Sequence, residues 1–304
     1  MNGLATRGLV KRYGTTEALR GLDLEVPAGS IYGLVGPNGS GKTTALEILV
    51  GLRRPTAGSV DAGEVGSRIV YCPDAPEFDS WLTAAEVIRL SAGLMGARPG
   101  REAVEAVLAR VGLENAAGRK AGGFSRGMLS RLNLAAALIC EPTLLVADEP
   151  AAALDPAGRW EIIELLGKLA GSTTVIVSSH DLHDVQRVCD HVGILTRGSL
   201  AYQGTLRELL ERAGTAIRVV VREPSAPVKA ALAAASWVRS VQDEGPGTFL
   251  VEVSDPGAAE EGLPVVLASC GARLVETGPA EGSLQDIFFQ LTGTGPARSA
   301  EEGA

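Results

Sequence analysis

The residue types best suited to chemistry are gathered in one glycine-rich segment with a lysine near its end. The segment reads Gly36-Pro37-Asn38-Gly39-Ser40-Gly41-Lys42-Thr43 and matches the pattern G-x-x-x-x-G-K-[ST] at every fixed position. Its glycines allow backbone N–H groups to close around an anion, and a helix that starts here adds the partial positive charge of its N-terminus. Lys42 could reach the outer phosphates of a nucleotide, and the hydroxyl of Thr43 could join the ligands of Mg²⁺. The segment therefore predicts a phosphate-binding loop, against the alternative of a glycine-rich turn with an exposed lysine.

Two acids and a histidine stand directly after apolar runs further along the chain. Asp148 and Glu149 follow the run 144–147, and His180 ends the run 173–179. Acids at the end of a buried strand are costly unless they serve a cation, so Asp148 could hold Mg²⁺ and Glu149 could polarise an attacking water. His180 could bond a γ-phosphate and sense its loss. The alternative for the two acids is the surface end of a strand.

Hydrophobic spacing predicts the elements that must position these residues. Short strands within residues 4–35 predict an antiparallel layer, and the apolar run 31–35 predicts a buried strand that leads into the loop. Thr83, with Glu86 three residues on, predicts a capped helix start. The other predicted elements of this part are a strand over 68–74 and helices over 102–111, 129–140 and 155–166.

Composition limits the classes of protein that the chain can belong to. With 304 residues, 45% hydrophobic and 21% charged, it has room for one large domain and a smaller one. The net charge of -8 argues against a nucleic-acid surface that depends on bulk charge. No apolar stretch approaches the ~18 residues that span a bilayer, so we expect any membrane role to need a partner. The four cysteines are scattered without metal-ligand spacing, which predicts reduced thiols.

Taken in their order along the chain, these motifs resemble those of the ATPase subunit of an ATP-binding-cassette (ABC) transporter, over about residues 4–210. The resemblance implies ATP and Mg²⁺ as ligands. It implies catalytic roles for Lys42, Glu149 and His180, and metal contacts for Thr43, Asp74 and Asp148. It implies nucleotide contacts for Tyr13, Gly36, Pro37, Asn38, Gly39, Ser40, Gly41, Lys42, Thr43, Thr44, Ser125, Gly127 and Asp155. From the residues alone, Tyr13 could stack on adenine or simply pack at a strand end.

Three segments depart from the family pattern. The signature segment 124–128 keeps its serine and second glycine, but Arg126 replaces the first glycine and Met128 replaces the glutamine. Asp74 stands where glutamine or glutamate is common, and its shorter side chain favours a water-mediated contact with Mg²⁺. Alanines fill positions 151–153 beside Asp155. These changes leave open a slower hydrolysis or a weaker coupling.

The predicted fold class is α/β: a P-loop NTPase cassette, with a mixed sheet core, an antiparallel β layer and a helical subdomain, followed by a small α+β domain. The cassette is predicted over 1–212, with the helical subdomain at about 75–140. In 213–293 the order β-α-β-β-α-β predicts a ferredoxin-like unit. A final helix, capped by Ser283, is predicted to close this unit and to carry Leu284, Ile287, Phe288 and Leu291 on one face. Residues 294–304 are expected to be disordered. The segment 282–288 resembles the ending of daunorubicin-resistance-type cassettes, which points to multidrug or antibiotic export.

The resemblance also implies how the protein works. Two cassettes would pair head to tail around two ATP molecules, and closure would drive a separately encoded multi-span permease docked on the helical subdomain. The protein would then be peripheral, at the cytoplasmic face of a bacterial membrane, with no nucleic-acid partner. Two alternatives stay open: an ABC ATPase outside transport that acts on nucleic acid or ribosomes, and a regulatory cassette that binds ATP but hydrolyses it weakly.

Overall fold

The computed structural model describes residues 3–212, 215–222 and 226–279. The chain divides into two compact units between Leu206 and Arg207, at the start of a helix that ends at Arg212. The predicted closing helix around Leu284 to Leu291, the segment 282–288 and the tail 294–304 lie outside the described residues. Within the described ranges, no helix combines the length and the apolar character needed to cross a bilayer.

The first unit begins with an antiparallel sheet that confirms the predicted layer. Its strands are β1 (Leu4–Tyr13), β2 (Thr16–Leu22), β3 (Glu25–Val26) and β5 (Ala57–Asp61), and β1 pairs antiparallel with the other three. A two-residue turn after Tyr13 joins β1 to β2. The pairing of β5 was not predicted, because its small and polar residues show no strand periodicity.

A six-stranded mixed sheet forms the centre of this unit. Its strands are β4 (Ile31–Val35), β6 (Ile69–Cys72), β7 (Leu144–Ala147), β8 (Thr174–Ser179), β9 (His191–Thr196) and β10 (Ser199–Thr205), in the order β10-β9-β4-β8-β7-β6. All neighbours pair in parallel except β10 with β9. Every residue of β4, β7 and β8 is buried, as predicted for these three strands. Because these three are adjacent and parallel, the residues that follow them meet at one edge of the sheet.

Among the described residues, six α-helices lie within this unit, and a seventh begins at its last residue. They are α1 (Lys42–Leu49), α2 (Ala84–Leu94), α3 (Arg101–Arg110), α4 (Arg126–Leu138), α5 (Pro156–Gly167), α6 (Leu182–Val188) and α7 (Leu206–Arg212). Helices α2, α3 and α4 pack on one another, within the range of the predicted helical subdomain. The predicted capping box at Thr83 and Glu86 is confirmed. Helix α4 begins three residues before the predicted start, because the side chain of Ser125 caps it.

The second unit follows the predicted order β-α-β-β-α-β. Its elements are β11 (Thr215–Val221), α8 (Ala226–Ala233), β12 (Val238–Gly245), β13 (Thr248–Val253), α9 (Pro256–Ser269) and β14 (Leu274–Pro279). The sheet is antiparallel, in the order β12-β13-β11-β14. The alanine-rich sequence 228–237 predicts a helix over its whole length, and this prediction is wrong at its end, since α8 stops at Ala233. The carbonyl of Trp237 instead accepts a hydrogen bond from the N–H of Ser254, which holds the chain at the edge of the sheet.

Candidate functional site

The glycine-rich segment leaves the buried strand β4 and turns directly into α1. Gly41 caps α1 with a φ of 108°, in the left-handed region, and a Cβ atom there would lie 2.7 Å from the carbonyl oxygen of Ala18. A Cβ atom on Gly36 would lie 2.2 Å from the carbonyl oxygen of Leu195. The space around the loop therefore requires glycine at both positions, and at position 41 the positive φ requires it as well.

The loop forms one wall of a cavity of about 280 Å³. The cavity is lined by residues 38–44 together with Ala18, Asp74, Asp148 and Glu149. The side chain of Ser40 is buried, and its hydroxyl has no hydrogen-bond partner among the described residues. An unpartnered buried hydroxyl in a cradle of backbone N–H groups fits a ligand with many acceptor oxygens, such as a chain of phosphates.

Lys42 and Glu149 meet inside this cavity. Lys42 is only 7% exposed, and its Nζ donates a hydrogen bond of 2.7 Å to the carbonyl oxygen of Gly36. The same Nζ lies 3.6 Å from Oε1 of Glu149, which is 14% exposed. The lysine thus lines the cavity beside the phosphate loop and contacts the acid there.

His180 completes a row with these two residues. Its Nδ1 lies 2.9 Å from Oε2 of Glu149, and its side chain is 51% exposed. The row consists of Lys42, Glu149 and His180, which follow the C-terminal ends of β4, β7 and β8, respectively. Glu149 has a φ of 46°, an uncommon value for a residue other than glycine. Such a backbone is found where the surrounding structure enforces it, often at functional sites.

Asp148 is held beside the row by two hydroxyl groups that the sequence alone did not single out. Ser178 donates a 2.5 Å hydrogen bond to Oδ1, and Tyr71 donates one of 3.4 Å to Oδ2. Burial, together with the negative charge of Asp148, raises the pKa of Tyr71, so this hydroxyl stays protonated. The only signal for Ser178 in the sequence is its place as one of two serines that end a strand with an apolar centre.

The other predicted site residues lie in different places. Thr43, Thr44 and Asp74 line the cavity with the loop. Tyr13 does not line it: the ring is 41% exposed, with Nζ of Lys11 at 5.2 Å and the guanidinium carbon of Arg53 at 5.4 Å from its centroid.

Ser125, Gly127 and Asp155 line a second cavity, of about 370 Å³, in which no residue of the phosphate loop takes part. Within the single chain, Ser125 Oγ accepts a hydrogen bond from the N–H of Met128. Asp155 Oδ1 likewise accepts one from the N–H of Gly158, so both side chains serve as helix caps. The single chain therefore does not bring these three residues to the phosphate loop.

No group of three or more His, Cys, Asp or Glu side chains could hold a metal ion within the described residues. Mg²⁺ usually takes one or two carboxylates and completes its shell with water and phosphate oxygens. The buried carboxylate of Asp148 and the hydroxyl of Thr43 fit that kind of site, in which the nucleotide itself supplies ligands.

The fold and the site together define a P-loop ATPase. The model of the ABC transporter family matches residues 19–152. An uncharacterised ABC transporter ATP-binding protein, YxlF of Bacillus subtilis, is 33% identical over 95% of this chain and 99% of its own length. The daunorubicin resistance ATP-binding protein DrrA3 of Streptomyces coeruleorubidus is 33% identical over 94% of each chain. The Nod factor export ATP-binding protein I of Burkholderia orbicola is 32% identical over 94% of this chain and 96% of its own.

A solved structure gives the same assignment. A dimeric ATP-binding cassette in a post-hydrolysis state, bound to ADP and Pi, matches with a TM-score of 0.62 and 27% identity. The match covers 67% of this chain and 99% of that one. The chain belongs to the ATP-binding subunits of ABC transporters, and it is an ABC ATPase.

Proposed function

We propose that this chain is the motor subunit of a bacterial exporter, in which a pair of cassettes uses ATP to drive a separately encoded multi-span permease. The observation that carries the proposal is the row Lys42, Glu149 and His180 beside a phosphate loop. Similarity to a drug-resistance protein and to an export protein, over nearly the whole chain, supports export and the daunorubicin-resistance subgroup. The proposed place of work is the cytoplasmic face of the cell membrane, without nucleic acid.

In the proposed site, backbone N–H groups of residues 38–44 hold the phosphates and Lys42 moves from Glu149 to the outer phosphates. Tyr13 stacks on the adenine, which replaces its contacts with the two cationic side chains. Thr43 and Asp148 would hold Mg²⁺, with Asp74 acting through a water. When bound, the ion neutralises charge on the phosphates. Glu149, once released by Lys42, orients the attacking water. His180 contacts both Glu149 and the γ-phosphate, and so fixes their positions relative to each other.

The nucleotide site is proposed to be completed by a second copy of the chain. Ser125, Gly127 and Asp155 lie in a cavity separate from the loop of their own chain, so they are free to act on the nucleotide of the partner. Each ATP would then lie between the loop of one copy and the N-terminus of α4 of the other. Hydrolysis in such a site depends on positioning and charge stabilisation, which closure of the pair supplies.

We propose the domain limits 1–212 for the cassette, with the helical subdomain at about 75–140, and 213–293 for the accessory domain. For the accessory domain we propose a ferredoxin-like fold. The described strands support it, because the sheet order puts the first and third strands of the β-α-β-β-α-β unit in the centre and the second and fourth at the edges.

A second candidate is a regulatory cassette that binds ATP but hydrolyses it slowly. The observation in its favour is that both carboxylate oxygens of Glu149 are engaged, one by Lys42 and one by His180. An ATPase outside transport, acting on ribosomes or nucleic acid, has no comparable observation on its side.

The proposal is tested by affinity capture from detergent-solubilised membranes with ATP and Mg²⁺, using the Glu149→Gln variant to hold the ATP-bound pair. A double variant, Lys42→Met with Glu149→Gln, is the matched control that should not hold nucleotide. We expect a multi-span membrane protein to be recovered with the single variant and lost with the double one. Recovery of ribosomes or nucleic acid would contradict the transport role. Steady-state hydrolysis by the parent chain separates a motor from a slow regulatory cassette.

A further inference from the structure

One arginine of α5 binds the loop that carries His180. Arg159 donates from Nε to Oδ1 of Asp184 at 2.8 Å and from Nη2 to Oδ2 of the same residue at 2.6 Å. Nη2 also donates to Oδ2 of Asp181 at 2.7 Å. The bond to Asp184 is bidentate, an arrangement that fixes orientation as well as distance. Asp184 and Arg159 are both largely shielded from solvent, so salt screens the pair less than it would on the surface.

The two chain neighbours of His180 both belong to this cluster. Ser179 Oγ donates to Oδ2 of Asp184 at 3.3 Å, and the N–H of Asp181 donates to Ser179 Oγ at 2.9 Å. Oδ1 of Asp181 in turn accepts a hydrogen bond from the N–H of His183 at 2.9 Å, and so Asp181 caps α6. The two neighbours of His180 are thus both linked to the guanidinium group of Arg159, Asp181 directly and Ser179 through Asp184.

Arg159 also lies close to the start of α5 and to a small cavity that Glu149 lines. Its N–H donates to the carbonyl oxygen of Asp155 at 2.8 Å, in the first turn of the helix. A small cavity of about 10 Å³, large enough for about one water, is lined by Arg159, Ser179, Asp184 and Glu149, among others. The cluster therefore stands between the segment that begins α5 and the row formed by Glu149 and His180.

We infer that Arg159 is a positioning residue for hydrolysis, which fixes His180 against Glu149 and transmits movement of α5 to them. The inference rests on the proposed function, in which the Asp155 end of α5 contacts the partner copy. Because α5 is a rigid helix and the bond to Asp184 is bidentate, a shift of α5 on closure must move the His180 loop. Reacting groups lose about a hundredfold in rate when misplaced by 1 Å, so this link can set the rate without touching ATP.

The test compares three variants of the full chain by kcat and by KM for ATP: Arg159→Met, Arg159→Lys and Asp184→Asn. The matched control is Glu161→Gln, which removes an ion pair of the same helix, to Arg131 at 3.1 Å, away from His180. We expect kcat to fall at least about tenfold in Arg159→Met and in Asp184→Asn, with KM within about twofold of the parent. Arg159→Lys keeps the charge but loses the bidentate bond, so it should restore kcat only in part. The control should keep both constants.

A double-mutant cycle with His180→Ala separates positioning from general loss of stability. If Arg159 acts through His180, adding Arg159→Met to His180→Ala lowers kcat no further. The same fold-loss of kcat in both backgrounds would overturn the inference, as would an equal loss in Glu161→Gln. Melting temperatures of all variants are measured alongside, and Asp184→Asn serves if Arg159→Met does not fold. A parent chain without ATPase activity would contradict the proposed function itself, whereas additive losses in an active parent would contradict only this inference.

Discussion

Ser178 donates a hydrogen bond of 2.5 Å to Oδ1 of Asp148. The same hydroxyl accepts the backbone N–H of Glu149 at 2.8 Å. Asp148 is 1% exposed, so its carboxyl oxygens need hydrogen-bond partners within the protein. Glu149 has a backbone in the left-handed region, which its N–H bond to Ser178 helps to hold. One serine on β8 therefore fixes both acids at the end of β7.

We predict that Ser178→Ala lowers stability and activity together. The substitution leaves a buried carboxylate and a backbone N–H each short of a partner, which costs about 1–3 kcal/mol of unfolding free energy. It also frees the orientation of Glu149, so kcat should fall by about tenfold or more. Ser30→Ala is the control, because that buried hydroxyl donates to the carbonyl oxygen of Pro27 instead. Urea unfolding and steady-state hydrolysis measure the two effects, and unchanged kcat in Ser178→Ala would argue against this role.

We predict energetic coupling between Lys42 and Glu149 in the nucleotide-free protein. Lys42→Met leaves Glu149 without its buried counter-charge, so the unfolding free energy should fall by about 1–3 kcal/mol. Adding Glu149→Gln removes the stranded charge and should recover part of that loss. The cycle is measured by urea unfolding without nucleotide. If the losses of the two single variants simply added, the ion pair would contribute nothing in solution.

We predict that Gly41→Ala abolishes the phosphate site, whereas Gly51→Ala does not. Both glycines have positive φ, of 108° and 78°, so both substitutions cost about 1–2 kcal/mol of backbone strain. Only at position 41 would the new Cβ meet a backbone atom, the carbonyl oxygen of Ala18 at 2.7 Å, which forces the loop to move. ATP affinity, measured by calorimetry, should fall by more than about tenfold in Gly41→Ala and stay within about twofold in Gly51→Ala. Equal affinities would mean that the loop tolerates the shift.

We predict that alkaline pH destabilises the protein through its buried thiols. Burial raises the pKa of Cys72 from 9.0 to about 12, and it also raises the pKa of Cys140 and Cys189. The folded state keeps the proton of Cys72 while the unfolded state loses it. The stabilising contribution is therefore complete below pH 9 and is lost progressively as pH rises towards 12. In reducing buffer, Cys72→Ala should show a shallower fall in unfolding free energy between pH 8 and pH 10 than the parent. Identical slopes would contradict the shifted pKa.

The parts of the fold that were predictable from sequence are those fixed by local chemistry. The loop 36–43 was recognisable because its glycines, lysine and threonine all lie within eight residues between a buried strand and a helix. The capping box at Thr83 and the cap at Asp155 are likewise complete within four residues. Buried parallel strands such as β7 can be recognised from a continuous run of apolar residues.

The parts that were not predictable depend on partners far apart in the chain. Ser178 acquires its role only because β7 and β8 pair in a particular register, which brings Asp148 within reach. Arg159 looks like a solvated helix residue until α6 brings Asp184 to it, 25 positions later. The place of Tyr13 outside the cavity was equally hidden, because Arg53, one of the two cations at its ring, lies 40 positions further along the chain.

The pairing of two copies around ATP is tested most directly by the solution mass of Glu149→Gln in ATP and Mg²⁺, measured by light scattering after gel filtration. We predict a pair of chains in ATP, with twice the 31.4 kDa of one chain, and single chains without nucleotide. When Lys42→Met is added, we expect single chains in ATP as well. A Glu149→Gln variant that binds ATP yet keeps the mass of one chain would contradict the claim that two copies complete the site.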